Sequence, residues 1–540
     1  MRNIRILDCT LRDGGRIVDC KFENGLIKNV SEELSYAGIE IIELGFLRDN
    51  KLVNYTGDST FFTSIEQMDS FIPEGTASLF CAFIDYNMFD FDTLPTYRGK
   101  GVEGIRVGFT KKQYRNEKED IIKSLKKVKE KGYKLFVQSV NTPGYSDMEI
   151  LELLGIVNDI KPYGFGIVDT YGALYLDEMT HLFGLVNHNL DTEICIDIHS
   201  HNNMQSSFTF AQEVTRIATA NRRIIFDATL NGMGKCAGNL NTELIVDYLN
   251  RKNSANYSLD RILDIIDIYL EPIKEVKTWG YSIPAFMAGI YKSHPNNIIY
   301  LTEKYRLRSK DIKYILSGID EDIRQRYDYD NIARVYRDYF SSVYEDKESI
   351  KELESEFKES NIVVLAPGAT IKDYADDIKR IISEQNAVVV SINFIPDAIK
   401  HDYVFCANTI HWSKLVKESI DKRKCILSSN IKDDVEGVIM VNYSSLIEED
   451  SELPDNSTIM LLNLLSKVGA NKVFIAGFDG IKQYESNYVN NTFVNRTHGM
   501  SIEDTNRIIS LMYRKIKSRT KGEMEIELIT PSLYDINNEL

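Results

Sequence analysis

A chain of 540 residues is too long for a single hydrophobic core, so two or three domains are expected. Hydrophobic residues make up 43% and charged residues 27% of the sequence, a composition that excludes a largely disordered chain. The formal net charge of -16 disfavours nucleic acid as a partner, because such a chain repels phosphate backbones.

The N-terminal sequence and the cysteines indicate the compartment. The segment MRNIRILDCTLRDGG lacks the apolar core and the cleavage site of an export signal, and no apolar stretch approaches membrane-spanning length. Seven cysteines are widely spaced without a CxxC pair, which disfavours a disulfide framework and a structural zinc site. We therefore expect a cytoplasmic protein with no membrane partner.

Short apolar runs alternate with amphipathic, helix-like stretches through residues 1–300, as in parallel βα units. Eight such runs are predicted as strands: Ile4–Leu11, Ile39–Phe46, Ala77–Ile84, Gly104–Thr110, Lys134–Val140, Tyr163–Thr170, Ile194–His199 and Arg223–Leu230. Eight strands with helices between them favour a (β/α)8, or TIM, barrel. An open doubly wound sheet is the alternative, since alternation alone does not show whether the sheet closes.

The rest of the chain is predicted as a helical connector followed by a second α/β domain. Residues 301–359 are charged and rich in tyrosine, without a strand signal. Strand-like runs return in residues 360–540, and they are NIVVLAPG, AVVVSINF, DYVFCAN, KCILSS, GVIMVN and KVFIAGFDG. We therefore predict an α/β protein with a TIM barrel at 1–300, a helical connector at 301–359 and a Rossmann-like domain at 360–540.

Polar residues stand where the predicted barrel strands end, and these ends converge on one mouth. Arg12 and Asp13 follow the first strand, and Glu43 lies near the end of the second. His199 and His201, at the end of the seventh strand, are two residues apart and therefore point to one face, where they can bind one ion. With Asp13 they would leave positions open on a divalent ion for a bidentate 2-oxo acid.

A glycine-rich loop follows the eighth strand. Gly232 and Gly234 let the backbone approach a ligand, and Asn239 can reach the ion or the substrate. The alternatives are that Asp13 caps a helix, that the histidines are hydrogen-bonded core residues, and that the glycines mark an ordinary turn. A metal site explains polar groups at the ends of three apolar strands together, so it is the interpretation that we adopt.

The motifs LDCTLRDGG, IELGF, HSHNN and GMGKCAGN resemble the DRE-TIM metallolyase superfamily over residues 1–300. This superfamily includes 4-hydroxy-2-oxovalerate aldolase, hydroxymethylglutaryl-CoA lyase and isopropylmalate synthase. The resemblance implies that Asp13, His199 and His201 bind Mg²⁺ or Mn²⁺. It also implies that Arg12, held by Glu43, stabilises the enolate of a pyruvate-like intermediate.

The chain departs from these aldolases at the first loop, where Arg16 stands in place of a histidine that serves as base. Arginine stays protonated, so proton abstraction must fall to another group or to a bound water. Arg16 could bind a second carboxylate or a phosphate of the substrate, and a surface-exposed arginine is the alternative.

Three further side chains are considered for the mouth. Cys236 matches a reactive cysteine of hydroxymethylglutaryl-CoA lyase and is a candidate proton donor or acceptor, with a small buried hydrophobe as the alternative. Tyr171, after the sixth strand, could bind substrate through its phenol, although 30 tyrosines make any one of them a weak candidate. His294 in KSHPNN is equally weak.

The C-terminal segments IVVLAPGAT, SINFIPDAIKHDYVFCAN and KVFIAGFDG resemble the nucleotide-sugar-related domain of motility accessory factor-type proteins. A glycine between a strand and a helix, as in IVVLAPGAT, is a common phosphate or nucleotide site. The resemblance implies a role in surface-polysaccharide or modified-sugar metabolism.

The leading hypothesis is a divalent-metal-dependent aldolase or lyase that forms or cleaves a carbon–carbon bond beside a 2-oxo acid, with an aldehyde as the second small-molecule partner. The alternatives are a Claisen-type transferase that condenses an acyl-CoA with a 2-oxo acid, and a non-catalytic, metabolite-binding scaffold. The oligomeric state stays open, with a homo-oligomer as one alternative.

Overall fold

The structure is a computed structural model of the chain, and it describes residues 3–534 except residues 54, 56, 304–308, 327, 342–343, 418–419, 432–434, 449–450, 483–486 and 490–499. Contacts divide the chain into two compact units, Met1–Ile332 and Ala333–Leu540. Within the described ranges, no helix is both long enough and apolar enough to cross a membrane.

The first unit is built on eight parallel strands. They are β1 Ile4–Asp8, β2 Ile41–Leu47, β3 Leu79–Asp85, β4 Gly104–Thr110, β5 Lys134–Val140, β6 Gly164–Asp169, β7 Cys195–Ser200 and β8 Ile224–Ala228. Each strand pairs in parallel with the next, and β1 pairs with both β2 and β8, so the sheet closes into a barrel. The strands are almost wholly buried, as expected of apolar runs that are covered on both faces. The predicted barrel is therefore confirmed.

Helices fill the connections of the barrel and continue after its last strand. They are α1 Asn24–Tyr36, α2 Ile65–Asp69, α3 Lys111–Asn116, α4 Lys118–Glu130, α5 Asp147–Ile160, α6 Leu176–Asn189, α7 Ser207–Ile217, α8 Thr242–Asn253, α9 Leu259–Ile265, α10 Glu271–Val276, α11 Ile283–Ile290, α12 Pro295–Glu303, α13 Ser309–Ser317 and α14 Glu321–Arg324. A two-residue strand, Phe61–Phe62, pairs with the end of β2 and was not predicted.

Local sequence explains where these helices begin and which face they bury. In α4, Ile121, Leu125 and Val128 are buried at helical spacing, while the charged residues between them stay at the surface. The helix α5 begins at a capping box, in which Ser146 accepts from the Glu149 backbone and Glu149 accepts from the Ser146 backbone. The helices therefore pack around the barrel through one apolar stripe each.

The second unit contains an open, parallel, seven-stranded sheet. Its strands are β9 Asn361–Leu365, β10 Val388–Ile392, β11 Tyr403–Cys406, β12 Cys425–Ser428, β13 Ile439–Val441, β14 Lys472–Ala476 and β15 Glu525–Leu528. Their order across the sheet is β13-β12-β11-β10-β9-β14-β15, so the direction of winding reverses between β9 and β14. The first six strands were predicted, and β15 was not.

Helices also alternate with the strands of the second unit. They are α16 Lys347–Phe357, α17 Thr370–Asp373, α18 Ala375–Glu384, α19 Thr409–Lys417, α20 Ser457–Lys467 and α21 Ile502–Arg519, preceded by α15 Tyr329–Ser341, which contains the point where the units divide. The predicted α/β class is confirmed for both units. The predicted domain limits, with a connector at 301–359, stay a prediction.

Candidate functional site

The first loop of the barrel follows β1 and carries Arg12 and Asp13. It leads into a 3-10 helix, Gly14–Val18, before which Asp13 makes no side-chain capping hydrogen bond. Asp13 is buried, and its Oδ1 accepts from Arg12 Nη1 at 2.6 Å and from Arg16 Nε at 3.2 Å. The Asp13 carboxylate therefore faces cations and does not cap the helix.

Arg12 is held in one orientation by carboxylates and by an aromatic ring. Its Nε donates to Glu43 Oε2 at 2.6 Å, while its Nη1 donates to Asp13. Its guanidinium carbon lies 4.5 Å from the centroid of the Phe83 ring, a cation–π contact. A guanidinium fixed in this way presents its donors with little further loss of side-chain entropy.

The end of β7 brings two imidazoles to Asp13. His199 Nε2 lies 3.9 Å from Asp13 Oδ2, and His201 Nε2 lies 3.7 Å from the same oxygen. One donor atom of each residue lies within 4.8 Å of the other two. Divalent ions bind such donors at about 2.0–2.2 Å, so the three atoms can surround a single ion.

Asp227 on β8 orients His199 from behind. Its Oδ2 lies 2.9 Å from His199 Nδ1, so the other ring nitrogen, Nε2, is directed toward Asp13. A carboxylate behind a metal-binding imidazole fixes the tautomer and strengthens the ligand. Cys9 lies close to His199 and Asp227, but burial raises the pKa of its thiol well above the usual value. A protonated thiol is a poor ligand, so we place the ion at Asp13.

The protonation states at this cluster suit a cation. Burial lowers the pKa of both His199 and His201 to about 4, so both rings are neutral near pH 7 and offer lone pairs. Burial by itself raises the pKa of Asp13, but Arg12 and the two imidazoles hold that pKa well below its usual value. One carboxylate and two neutral imidazoles form a common donor set for divalent metals.

The loop from Asn231 to Asn239 folds tightly because glycines permit close backbone contacts. A Cβ on Gly238, whose φ is 74°, would lie 1.8 Å from Gly232 O. A Cβ on Gly234 would lie 2.7 Å from Asn239 Nδ2. The glycines therefore position Asn239, and their predicted contact with substrate stays a prediction.

Asn239 completes the cluster from the side of this loop. Its Nδ2 donates to Asp13 Oδ2 at 3.1 Å, and its backbone forms a bridge with His201. Its Oδ1 is buried and, among the described residues, has no hydrogen-bond partner. An orphaned amide oxygen next to a carboxylate is a further donor for a cation, because a buried acceptor left unpaired is costly.

A buried charge network beneath the mouth was missed in the sequence. Arg106 on β4 is 1% exposed, and its guanidinium lies 3.2 Å from Glu43, 2.8 Å from Asp197 and 2.5 Å from Asp227. The available signal was a single charge within each of the apolar strands GIRVGFT, CIDIHS and IIFDA. In a closed barrel, such side chains point to the interior when they cannot face solvent.

The charges of this interior favour a cation. Two buried guanidinium groups face four buried carboxylates: Arg12 and Arg106 against Asp13, Glu43, Asp197 and Asp227. Burial, together with repulsion from Asp227, raises the pKa of Asp197 to about 7, as expected where carboxylates outnumber cations. Even with Asp197 protonated, three carboxylates face two guanidinium groups, so this interior favours a bound cation.

The rim of the mouth carries two further arginines on one aromatic ring. The guanidinium carbons of Arg16 and Arg48 lie 4.6 and 4.7 Å from the centroid of the Phe46 ring. Arg48 follows β2 directly, is 8% exposed, and donates from Nη2 to Asp85 Oδ2 at 2.5 Å. The Arg16 side chain is 38% exposed, and its role in substrate binding stays a prediction. Arg48 was missed in the sequence.

The segment after the barrel also contributes to this rim. Lys235 Nζ donates to Asn296 Oδ1 at 2.8 Å, and the Asn296 backbone N–H donates to His294 Nδ1 at 3.1 Å. Burial, together with the charges of Lys235, Arg16 and His201, lowers the pKa of His294 to about 3. His294 therefore lies within electrostatic reach of the cluster as a neutral imidazole.

Cys236 and Tyr171 are less directly placed. Burial raises the pKa of Cys236 to about 12, so its thiol can donate a proton but is a poor acceptor. The Tyr171 hydroxyl donates to Gln325 O at 3.0 Å and lines a cavity of about 470 Å³ together with Asp169 and Lys292. Their predicted roles stay predictions.

In the second unit, the loop after β9 is closed by the chain itself. Thr370 donates to Asp479 from its backbone N–H at 2.9 Å and from its hydroxyl at 2.5 Å. A Cβ on Gly368 would lie 2.3 Å from Gly477 O and 2.5 Å from Asp479, so glycine is required for this approach. Nucleotide binding by this unit stays a prediction.

Comparisons with known proteins find lyases and aldolases that are similar to the first part of the chain. Residues 104–268 match the HMGL-like family model. The 4-hydroxy-2-oxovalerate aldolase of Pelotomaculum thermopropionicum is 26% identical over 314 residues, 57% of this chain and 89% of that protein. The same enzyme of Pseudoalteromonas translucida is 23% identical over 324 residues, 58% of this chain and 89% of that protein.

The chain is also similar to solved structures at low sequence identity. The HMG-CoA lyase of Brucella melitensis covers 51% of this chain and 100% of its own, at 15% identity and a TM-score of 0.40. The family-model match lies within Met1–Ile332, the unit that holds Asp13, His199 and His201.

Proposed function

Because the N-terminal barrel is assigned to the DRE-TIM metallolyase superfamily, we propose that the chain is a divalent-metal-dependent aldolase acting on a 2-oxo acid. The observation that carries the proposal is the cluster of Asp13, His199 and His201 within 4.8 Å, beside a fixed Arg12. The similarity to 4-hydroxy-2-oxovalerate aldolases supports pyruvate as the 2-oxo acid. A role in surface-polysaccharide or modified-sugar metabolism stays a prediction.

Asp13 Oδ2, His199 Nε2 and His201 Nε2 would hold Mg²⁺ or Mn²⁺, with Asn239 Oδ1 as an additional donor. When bound, the ion supplies a Lewis acid that polarises the 2-oxo acid through its carboxylate and keto oxygens. Asp227 keeps the His199 ring in the orientation that binding requires.

Arg12 is the residue that we assign to the developing enolate oxygen. Its side chain is fixed by Glu43 and by the Phe83 ring, so its donors are in place before charge develops. Preorganised donors aimed at developing charge are commonly the largest single contribution to catalysis, with one donor worth about 10²–10³ in rate. Lysine at position 12 would lose the planar, two-edged contact.

Proton transfer must use a group other than Arg16, which stays charged. His294 and Lys235 lie at the same rim, and burial lowers the pKa of each. Of the two, His294 is neutral near pH 7, since its pKa falls to about 3. A pKa of about 3 makes His294 a weak base, and its Nδ1 already accepts from the Asn296 backbone N–H, so we assign no side chain as the base. The Cys236 thiol can only donate.

The test is exchange of the pyruvate methyl protons in deuterated buffer, followed by proton NMR with the full chain. We expect exchange in the presence of Mg²⁺ or Mn²⁺ and none after metal removal by a chelator. We expect Asp13→Asn to lower the exchange rate by at least about 10³-fold, since it removes a charged ligand.

Asp19→Asn is the matched control, because it makes the same chemical change at an exposed position of the same loop. It should leave the exchange rate within about twofold, since surface changes have small effects. Exchange that persists without metal, or in Asp13→Asn, would contradict the proposed function.

A further inference from the structure

Arg48 carries a buried donor that the protein does not satisfy. Its Nη2 is paired with Asp85, but its Nη1 is buried and, in the part of the chain that is described, has no hydrogen-bond partner. Leaving a buried charged donor unpaired costs more than leaving a neutral one, so a native structure rarely does so without a reason. A bound anion is the partner that would satisfy Nη1.

Arg16 provides a second guanidinium at the same place. Both arginines pack on the Phe46 ring, with guanidinium carbons 4.6 and 4.7 Å from its centroid. Arg16 uses Nε for Asp13 at 3.2 Å, and its side chain is 38% exposed at the rim. The two guanidinium carbons therefore lie within about 9 Å of each other, and both groups have donors available for an anion.

The local charge supports an anion. Burial lowers the pKa of Lys235, and the nearby positive charge of Arg16 lowers it further. These three cations stand at one rim of a chain whose formal net charge is -16. A cationic rim on an acidic protein attracts anions selectively to that point.

The position of this pair relative to the cluster identifies the part of the substrate that it meets. Arg12 and the Asp13 cluster are already assigned to the 2-oxo acid, whose own carboxylate and keto oxygen they take. Arg16 contacts Asp13 on its Oδ1, while the two imidazoles face Oδ2. The arginine pair therefore lies next to the 2-oxo acid, where the aldehyde must enter.

We propose that Arg16 and Arg48 bind an anionic group, a carboxylate or a phosphate, on the aldehyde partner. This inference rests on the proposed aldolase function and adds its substrate class: a 4-hydroxy-2-oxo acid that carries a second anionic group at its distal end. In the addition, pyruvate loses a methyl proton and its enolate carbon bonds to the aldehyde carbonyl carbon. The aldehyde oxygen then takes one proton and becomes the 4-hydroxyl, with no change of oxidation state.

The experiment measures the addition of aldehydes to pyruvate, and it compares each charged aldehyde with a neutral aldehyde of the same carbon chain. The carboxylate pair is succinic semialdehyde against butanal, and the phosphate pair is glyceraldehyde 3-phosphate against glyceraldehyde. We expect the charged member of one pair to react with a kcat/KM at least about tenfold higher, as one charge-assisted hydrogen bond provides. The pair that shows this preference identifies the anion as carboxylate or phosphate.

Arg48→Gln and Arg16→Gln should each reduce this preference about tenfold or more, mainly through KM for the charged aldehyde. The matched control is Arg251→Gln, which removes a charge from an exposed ion pair on α8 and should leave the preference unchanged. Arg16 is half-exposed, so its variant tests the proposal even if Arg48→Gln fails to fold.

Two negative results have different meanings. Equal kcat/KM values for charged and neutral aldehydes, with metal-dependent pyruvate exchange intact, would overturn the arginine pair as an anion site and leave the aldolase function standing. Absence of pyruvate exchange would overturn the aldolase function and the inference with it.

Discussion

Each unit carries a buried carboxylate near the end of a parallel strand, and in each unit threonines donate hydrogen bonds to it. At the end of β1, Asp8 accepts from the Thr10 backbone N–H at 2.9 Å and from the Thr242 hydroxyl at 2.7 Å. After β14, Asp479 accepts from the Thr370 backbone N–H and hydroxyl. In both places the chain satisfies its own polar groups.

The two units differ in what lies beside these carboxylates. Next to the barrel mouth, Asn239 Oδ1 and Arg48 Nη1 are buried without a hydrogen-bond partner among the described residues. In the loop after β9, the Thr370 N–H that could meet a phosphate is taken by Asp479, and two buried atoms without a hydrogen-bond partner among the described residues, Ser391 Oγ and Asn393 Oδ1, lie instead at the end of the neighbouring strand β10. A glycine-rich loop after a strand therefore indicates close packing, and only its unsatisfied atoms indicate a ligand.

The largest difference between the two units is expected from a change in the charge network of the barrel. Arg106→Met leaves Glu43, Asp197 and Asp227 buried without their shared cation. We expect the first unit to lose about 3–5 kcal/mol of unfolding free energy and the second unit to lose none. Urea unfolding measures this in a Trp412→Phe background, where Trp279 is the remaining tryptophan and reports on the first unit.

The control for Arg106→Met is the same substitution in a chain whose unfolding is followed by the fluorescence of the other tryptophan. In a Trp279→Phe background, Trp412 reports on the second unit, whose midpoint should not move. An equal loss in both units would show that they unfold together, and the network would then not be a property of the barrel alone.

Equivalent glycine substitutions are expected to destabilise a tightly packed loop in each unit. A Cβ on Gly238 would lie 1.8 Å from Gly232 O, and one on Gly477 would lie 2.2 Å from Ala366 O, both at positive φ. We expect Gly238→Ala to cost the first unit about 2–4 kcal/mol and Gly477→Ala to cost the second unit a similar amount. The same single-tryptophan unfolding measurements check both values.

Gly184→Ala is the matched control for these two variants. Gly184 lies in α6, where an added Cβ would meet no heavy atom within 4 Å. Alanine is favoured over glycine inside a helix by about 1 kcal/mol, so this variant should be neutral or stabilising. A loss at Gly184 as large as at Gly238 would contradict the role of close contact.

Much of this architecture was readable from the sequence. Gly104–Thr110 and Lys134–Val140 were predicted to the residue, because long apolar runs between turns leave few other structures. The strand β15, Glu525–Leu528, was missed because EIEL is only four residues long, although its alternation of charged and apolar residues is a strand signal. The grouping of Asp13 with His199 and His201 followed from their places at strand ends.

The rest of the candidate site depends on distances across the barrel. Arg106 and Asp227 are 121 residues apart, and no local pattern states that they touch. Arg48 follows a strand like Arg12, but only the structure shows that it shares the Phe46 ring with Arg16. Loop geometry of this kind is set by tertiary packing, which sequence periodicity does not encode.

The two carboxylates compared above, Asp8 and Asp479, allow the test with the smallest expected effect. Burial raises the pKa of Asp8 to about 6, against the opposing hydrogen bonds from Thr242 and Thr10. Because the folded state then holds a proton that the unfolded state releases near pH 4, the stability that Asp8 contributes is lost as the pH rises from about 4 to about 6. Asparagine does not titrate, so the stability of Asp8→Asn relative to the unsubstituted chain should rise over that range. Each unit of pKa displacement corresponds to about 1.4 kcal/mol, so we expect a rise of about 1–3 kcal/mol.

Asp479→Asn makes the same change in the second unit. Burial also raises the pKa of Asp479, with hydrogen bonds from Thr370 opposing it, so the slope should have the same sign. Asp479 is less completely buried than Asp8, at 9% exposure against 1%, so the change with pH should be smaller. Each variant also loses hydrogen-bond energy, but this loss in unfolding free energy does not depend on pH. Only the change of the stability difference with pH therefore reports the titration of the carboxyl group. Equal slopes would mean that the two units bury these carboxylates alike.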